Sequence, residues 1–214
     1  MGKQISFRRA RLLWGRFEEA AGISSTPAFT RLYRAYGGRD RSYHDRRHVV
    51  DVVQRVTRMG RTLPNRTQTA LLAAAWYHDV VYVTTRHDNE ERSAGDLAKA
   101  MRRCGLDRRT IAVAVRLVLA TKRHTPSDLA EKVLVDADLA TLSSSPARYA
   151  EYAADIRREY GWVPEAAYRD GRAAVLSTFL SRPVIYHTRR MRRREAAARA
   201  NIEREIGLLG SMHI

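Results

Sequence analysis

A chain of 214 residues, 44% of them apolar, is long enough to bury a core, which excludes a disordered segment and fits one large domain. Its single cysteine, Cys104, excludes an internal disulfide, and no stretch approaches the run of about 18 apolar residues that a membrane span needs. The net charge of +16 attracts phosphate-rich partners (nucleotides, nucleic acid, anionic lipid) without choosing among them. All but four of the 39 basic residues are arginines, a bias that a GC-rich coding genome also produces.

The opening MGKQISFRRARLLWGRF has scattered charges and no continuous apolar run, so it is not read as a signal peptide, and a cytoplasmic protein is expected. MGKQIS fits the loose myristoylation pattern that many N-termini match by chance. Apolar residues then recur with a period near 3.6, which predicts an all-α chain. Helices are expected at about Phe7 to Ala21 and Pro27 to Tyr36, the second stopped by Gly37-Gly38. After the loop GGRDRSYHD come Arg46 to Met59 and Arg66 to Tyr82, with Asn65 as the N-cap of the latter. TTRHD is a loop. Asp88 with Glu91 fits a capping box opening a helix that runs to Cys104 and stops at Gly105. Further helices are expected at Arg108 to Thr121, a short piece from Pro126, and Val133 to Leu142. Past the break SSSP lie Ala147 to Tyr160, Pro164 to Leu180, and an arginine-rich helix from Thr188 to Leu209. One domain is expected over residues 1–214, with a core at about 41–145 and a C-terminal helical extension over 146–214 packed on it.

Five places put ionisable groups where the pattern demands core. In LLAAAWYHDVVY, the pair His78-Asp79 sits among apolar side chains, where burial is costly unless the two pair with each other or bind a metal; residues 71–82 alone leave both open. His48 follows Asp45, the better N-cap, so His44, four residues earlier, belongs to the preceding loop. In VLVDADLATL, Asp138 aligns with Val135, Leu139 and Leu142 and points inward, whereas Asp136 aligns with Ala140 and is expected to be exposed or cap-like. Glu90 aligns with Ala94, Leu97 and Met101, which makes it a candidate for chemistry, although acidic residues are common in any first helical turn. His124 lines up with Leu117 and Thr121 beyond a helix end and fits a ligand, a phosphate contact, a general acid or a surface histidine equally. His87, His187 and His213 have no such alignment and are expected at the surface. Two imidazoles and two carboxylates suit Mn, Fe, Co, Ni or Zn, and suit Mg less.

The order His48 … His78-Asp79 … Asp138 resembles the HD superfamily of metal-dependent phosphohydrolases. More closely, the chain is similar to a family of predicted HD phosphohydrolases in RSYHDRRHV (41–49), AAWYHDVVY (74–82), DNEERSA (88–94), ATKRH (120–124), DADLATL (136–142) and EAAARANIEREIGLL (195–209). The family motif carries a glycine where Ser143 stands here. The resemblance implies an HD-domain helical bundle, a metal held by His48, His78, Asp79 and Asp138, and hydrolysis of a phosphate ester such as a nucleotide or phosphodiester. Some superfamily members hold two metals through extra histidines, and some are di-iron oxygenases; His124, or less plausibly His44, is the residue available for that role.

In the expected mechanism Asp79 or Glu90 orients or deprotonates a metal-bound water, while Arg41, Lys122 and His124 hold the phosphate. Two rivals are an iron-dependent oxygenase and a nucleic-acid-binding protein that uses RRMRRRE (189–195). Interleaved Glu195, Glu203 and Glu205 argue that this run is instead an ordinary solvated helix face.

Overall fold

A computed structural model of the chain describes residues 7–210, so the MGKQIS match and His213 lie outside the described residues. Among these are eleven α-helices, one 3-10 helix and no strand. No helix among them is long and apolar enough to cross a membrane. The chain divides into two compact units, the first ending at Ala137 and the second opening at Asp138, slightly before the expected border at 146.

The first unit contains α1 (Phe7–Ala21), α2 (Thr26–Ala35), α3 (Arg46–Met59), α4 (Asn65–Tyr77), α5 (Asn89–Arg103), α6 (Arg108–Thr121) and α7 (Leu129–Asp138), the last residue of which opens the second unit. Helix α4 is its centre. Ala70, Ala73, Ala74 and Ala75 are buried, and their small side chains let α1, α3, α5 and α6 pack closely around it. Trp76 meets Trp14 edge-on with ring centroids 5.6 Å apart, and Trp14 meets Phe17 at 4.9 Å. The helices before residue 41 therefore share one core with those after it. Caps mark the starts: Asp45 accepts the amide N–H of Arg47 and His48, and Asp107 accepts those of Arg109 and Thr110.

Several boundaries differ from the sequence reading, each for a local reason. Asn65 lies inside α4, and Pro64, with no side chain able to cap, precedes it. The helix stops at Tyr77 instead of Tyr82, because side chains from elsewhere take over the backbone groups that follow. Ser93 both donates to the Val81 carbonyl (3.2 Å) and accepts from the Val81 amide (3.1 Å), and Asn89 brackets Val83 in the same way at 3.0 and 3.1 Å. The Asp88–Glu91 capping box does not form: Asp88 pairs with Arg86 and Arg92, and Glu91 with Lys122. The piece expected over 133–142 is the end of α7 plus a 3-10 turn (Leu139–Ser143).

The second unit holds that 3-10 turn, α8 (Pro146–Glu159), α9 (Glu165–Leu180), α10 (Arg189–Arg192) and α11 (Glu195–Gly210). The expected helix from Thr188 to Leu209 is split because Glu195 turns back, its carboxylate accepting the amides of Ile185 (2.9 Å) and Tyr186 (3.1 Å). Asn201 donates to the carbonyls of Leu142 and Ser144, both at 2.9 Å, which fixes α11 on the 3-10 turn. Beneath α9 and α11, the buried Glu205 carboxylate takes a fork from Arg172 (2.8 and 3.2 Å) and the Tyr149 hydroxyl (2.7 Å). His187, expected at the surface, is half-buried.

Burial pushes the hydroxyls of Tyr77 and Tyr149 above the ordinary tyrosine range, helped by Cys104 beside the first and Glu205 beside the second; Tyr168 is pushed up to about 12, again chiefly by burial. A pKa raised in the folded state means that the fold retains protons the unfolded chain gives up. Stability is therefore expected to be intact below about pH 10 and to fall as pH rises beyond it. Tyrosinate absorbance and far-ultraviolet circular dichroism should change together in an alkaline titration. Ionisation of these tyrosines at pH 10 without loss of helix would contradict this.

Candidate metal centre

The site begins in the turn before α3. Asp45 caps the helix and also binds the Arg47 side chain at 2.8 Å, while Arg47 reaches the Ser42 carbonyl at 3.0 Å. This fixes His48 in the first helical turn, and its ring, only 6% exposed, leans on Tyr43. His78 and Asp79 arrive on the turn just past α4, the histidine 1% exposed. His78 Nδ1 lies 3.0 Å from the Ala75 carbonyl. A carbonyl only accepts, so Nδ1 carries a proton and Nε2 is the ring nitrogen left facing the site.

His78 Nε2 lies 3.0 Å from His48 Nε2. Asp79 Oδ2 lies 3.2 Å from His78 Nε2, 3.4 Å from His48 Nε2 and 4.0 Å from His44 Nε2. With one oxygen of Asp138, the last residue of α7, the ligand atoms of His48, His78 and Asp79 all fall within 4.8 Å of one another. Donors bound about 2.1 Å from a cation stand about 3.0 Å apart in an octahedral shell and about 3.4 Å apart in a tetrahedral one. The spacings and the converging donors therefore fit a metal ion. Burial would push the Asp79 carboxyl up, but the charge of His78 and hydrogen bonds from His48 and His78 outweigh it and hold the group well below its ordinary range.

Arg41 holds this turn from behind. Its guanidinium donates to the carbonyls of His44 (2.9 Å), Asp79 (2.7 Å) and Val80 (2.8 Å) and lies over the ring of Tyr36. The sequence reading gave Arg41 to a phosphate; the structure turns it on the backbone. Arg41→Ala is expected to lower stability by about 1.5–3 kcal/mol, the value of hydrogen bonds to a charged group, and to weaken metal affinity about tenfold. Lysine should not restore either property, because one ammonium does not reproduce a fork across two adjacent carbonyls. Urea unfolding and metal titration of both variants check this; wild-type affinity in Arg41→Ala would contradict it.

The other predicted residues lie outside this four-residue cluster. Lys122 donates to the His87 carbonyl at 2.8 Å and to the Glu91 carboxylate, so its ammonium is engaged. Glu90 is half-buried on the inward face of α5 and has no ion pair among the described residues. His124 is half-buried just past α6 with φ +51, a left-handed backbone uncommon for a residue other than glycine. Asp136, expected to be exposed, is fully buried, and Asp138 is the partly exposed member of the pair. Helical phase set their angle correctly but not which neighbours cover each side.

His44 stands closer to the centre than its loop position suggested. It stacks on Tyr82 at 3.9 Å, and its Nε2 faces Asp79. The backbone clasps from Ser93 and Asn89, which position the segment after Asp79, left no signal in the sequence beyond their places on the first turns of α5. Comparison with protein-family models and with curated proteins finds no match to this chain.

Proposed function

We propose that the chain is a metal-dependent phosphohydrolase of the HD superfamily, hydrolysing a phosphate ester such as a nucleotide or phosphodiester. The observation that carries this reading is the meeting of His48, His78, Asp79 and Asp138, in the order shared with that superfamily, around a point where four donors fit one cation. Mixed imidazole and carboxylate donors favour Mn, Fe, Co, Ni or Zn over Mg. Such an ion, when bound, supplies Lewis acidity to a water and to a phosphoryl oxygen.

The chain's own residues do the rest. Asp79 anchors the ion and orients the attacking water through its second oxygen. Glu90 receives the proton of that water. Lys122 and His124 belong to the turn that closes α6, where they meet the phosphate together, and His124 protonates the leaving oxygen. Arg41 keeps His78 and Asp79 in place, and the surplus of arginines draws the anionic substrate in.

Protein purified without chelator is expected to carry one equivalent of a divalent transition metal by elemental analysis. With that metal it should release phosphate from members of a nucleotide and phosphodiester panel. Full hydrolysis by a metal-free Asp79→Ala sample would end the proposal. Two irons per chain with oxygen consumption would replace it by the oxygenase reading, with His44 as the added ligand.

One observation supports a second activity. Arg189, Arg190, Arg192, Arg193 and Arg194 are exposed, without ion pairs among the described residues, while Glu195 and Glu205 are turned onto backbone amides, Arg172 and Tyr149. This run fits a nucleic-acid backbone. Binding to single or double strands that falls steeply with added salt supports it, and no binding at low salt ends it.

A further inference from the structure

Tyr77 directly precedes His78, yet it faces other neighbours. With Val80 it forms part of the wall of a cavity of about 190 Å³, a wall that also includes Arg31 on α2 and Asp96, Lys99 and Arg103 on α5. Residues 96, 99 and 103 share one face of their helix by their spacing. None of these six is a member of the four-residue metal cluster.

Two features of this cavity point to a ligand. The first is charge. Three cations face one carboxylate, and the carboxylate engages only Lys99, at 3.9 Å across an exposed pair. Arg31 and Arg103 have no carboxylate partner among the described residues. The second is Tyr77 itself. It is 4% exposed, and its hydroxyl has no hydrogen-bond partner among the described residues. Tyr77 lines the cavity together with Arg31 and Asp96. The hydroxyl is not among the fully buried polar atoms, so it is open to a ligand and able to donate to it.

We propose that this cavity binds a phosphate group, Arg31, Arg103 and Lys99 holding its oxygens and the Tyr77 hydroxyl donating to one of them. The formal surplus of two positive charges matches a dianion, and a phosphate offers oxygens enough for two guanidinium forks, whereas a carboxylate has only two. The volume is below the range of about 300–1,000 Å³ usual for larger organic ligands. It admits a phosphate and leaves any substituent outside. The group arrives either as inorganic phosphate or as the end of a phosphomonoester.

The test uses the full chain with chelator present, so that no metal in the four-residue cluster contributes to binding. Failure here is thereby separate from failure of the hydrolase reading. Nitrogen-15 NMR spectra are recorded while inorganic phosphate, or glycerol phosphate in a parallel arm, is added at constant ionic strength. Saturable shifts centred on residues 31, 77, 99 and 103 are expected. The double variant Arg31→Gln/Arg103→Gln should weaken binding by about tenfold or more, and Tyr77→Phe, which keeps the packed ring, by several fold. Tighter binding of glycerol phosphate identifies a phosphomonoester as the ligand; equal or weaker binding identifies the free ion. Absence of saturation at millimolar concentrations of either ligand, or unchanged affinity in a folded double variant, overturns the proposal.

Discussion

Asp79→Ala is expected to leave the protein without bound metal and to lower phosphate release by at least about a hundredfold, with helix content unchanged. One oxygen of this carboxylate lies within 4.0 Å of three imidazole nitrogens. Its removal takes away one of the two carboxylates that face His48 and His78, whose Nε2 atoms stand 3.0 Å apart. The backbone of the turn is held independently, by Arg41 on the carbonyls of residues 79 and 80, so the fold should survive the loss. Elemental analysis, phosphate release with the metal added back, and circular dichroism measure the three parts separately. Metal retained at wild-type stoichiometry in the variant would show that Asp79 does not hold the metal, and would end its assignment as a ligand.

The largest change in stability is expected in the second unit. Glu205→Ala would strand Arg172, whose side chain is only 10% exposed, and leave the Tyr149 hydroxyl without its acceptor. Breaking one side of a buried ion pair typically costs about 3–5 kcal/mol, a large part of the roughly 5–15 kcal/mol that separates a folded domain from its unfolded chain. Arg172→Met combined with Glu205→Leu should recover most of that loss, because neither partner is then left charged and buried. Urea unfolding of the single and double variants gives the comparison. Equal destabilisation in both would show that packing of the side chains, and not the stranded charge, sets the cost.

Much of this architecture was legible from periodicity. Helices α1, α3 and α6 begin and end where the apolar rhythm and, for α3, the cap Asp45 predict, because local spacing and local hydrogen bonds decide those ends. The four clustered residues were legible for a different reason: a histidine or carboxylate inside an apolar run is expensive, and its cost is visible without coordinates. What could not be read was set by distant partners. Nothing near Tyr77 announces that α4 ends there; the cause sits on Ser93, Asn89 and Arg41. Asp136 and Asp138 are two residues apart, and which of them is covered depends on the surroundings and not on helical phase. Arg41 looked like a free cation because the sequence does not show that three carbonyls already claim it.

The clasp between α5 and the segment after Asp79 ties the two together in time as well as in space. Amides 81 and 83 have no helical or strand partner of their own; they answer to Ser93 and Asn89. Any fraying of the first turns of α5 therefore releases both amides at once, and the chain just beyond the histidine–aspartate turn slackens with it. Solvent exchange at those two positions should follow the opening of α5 more closely than that of α4, the helix to which they are joined by sequence.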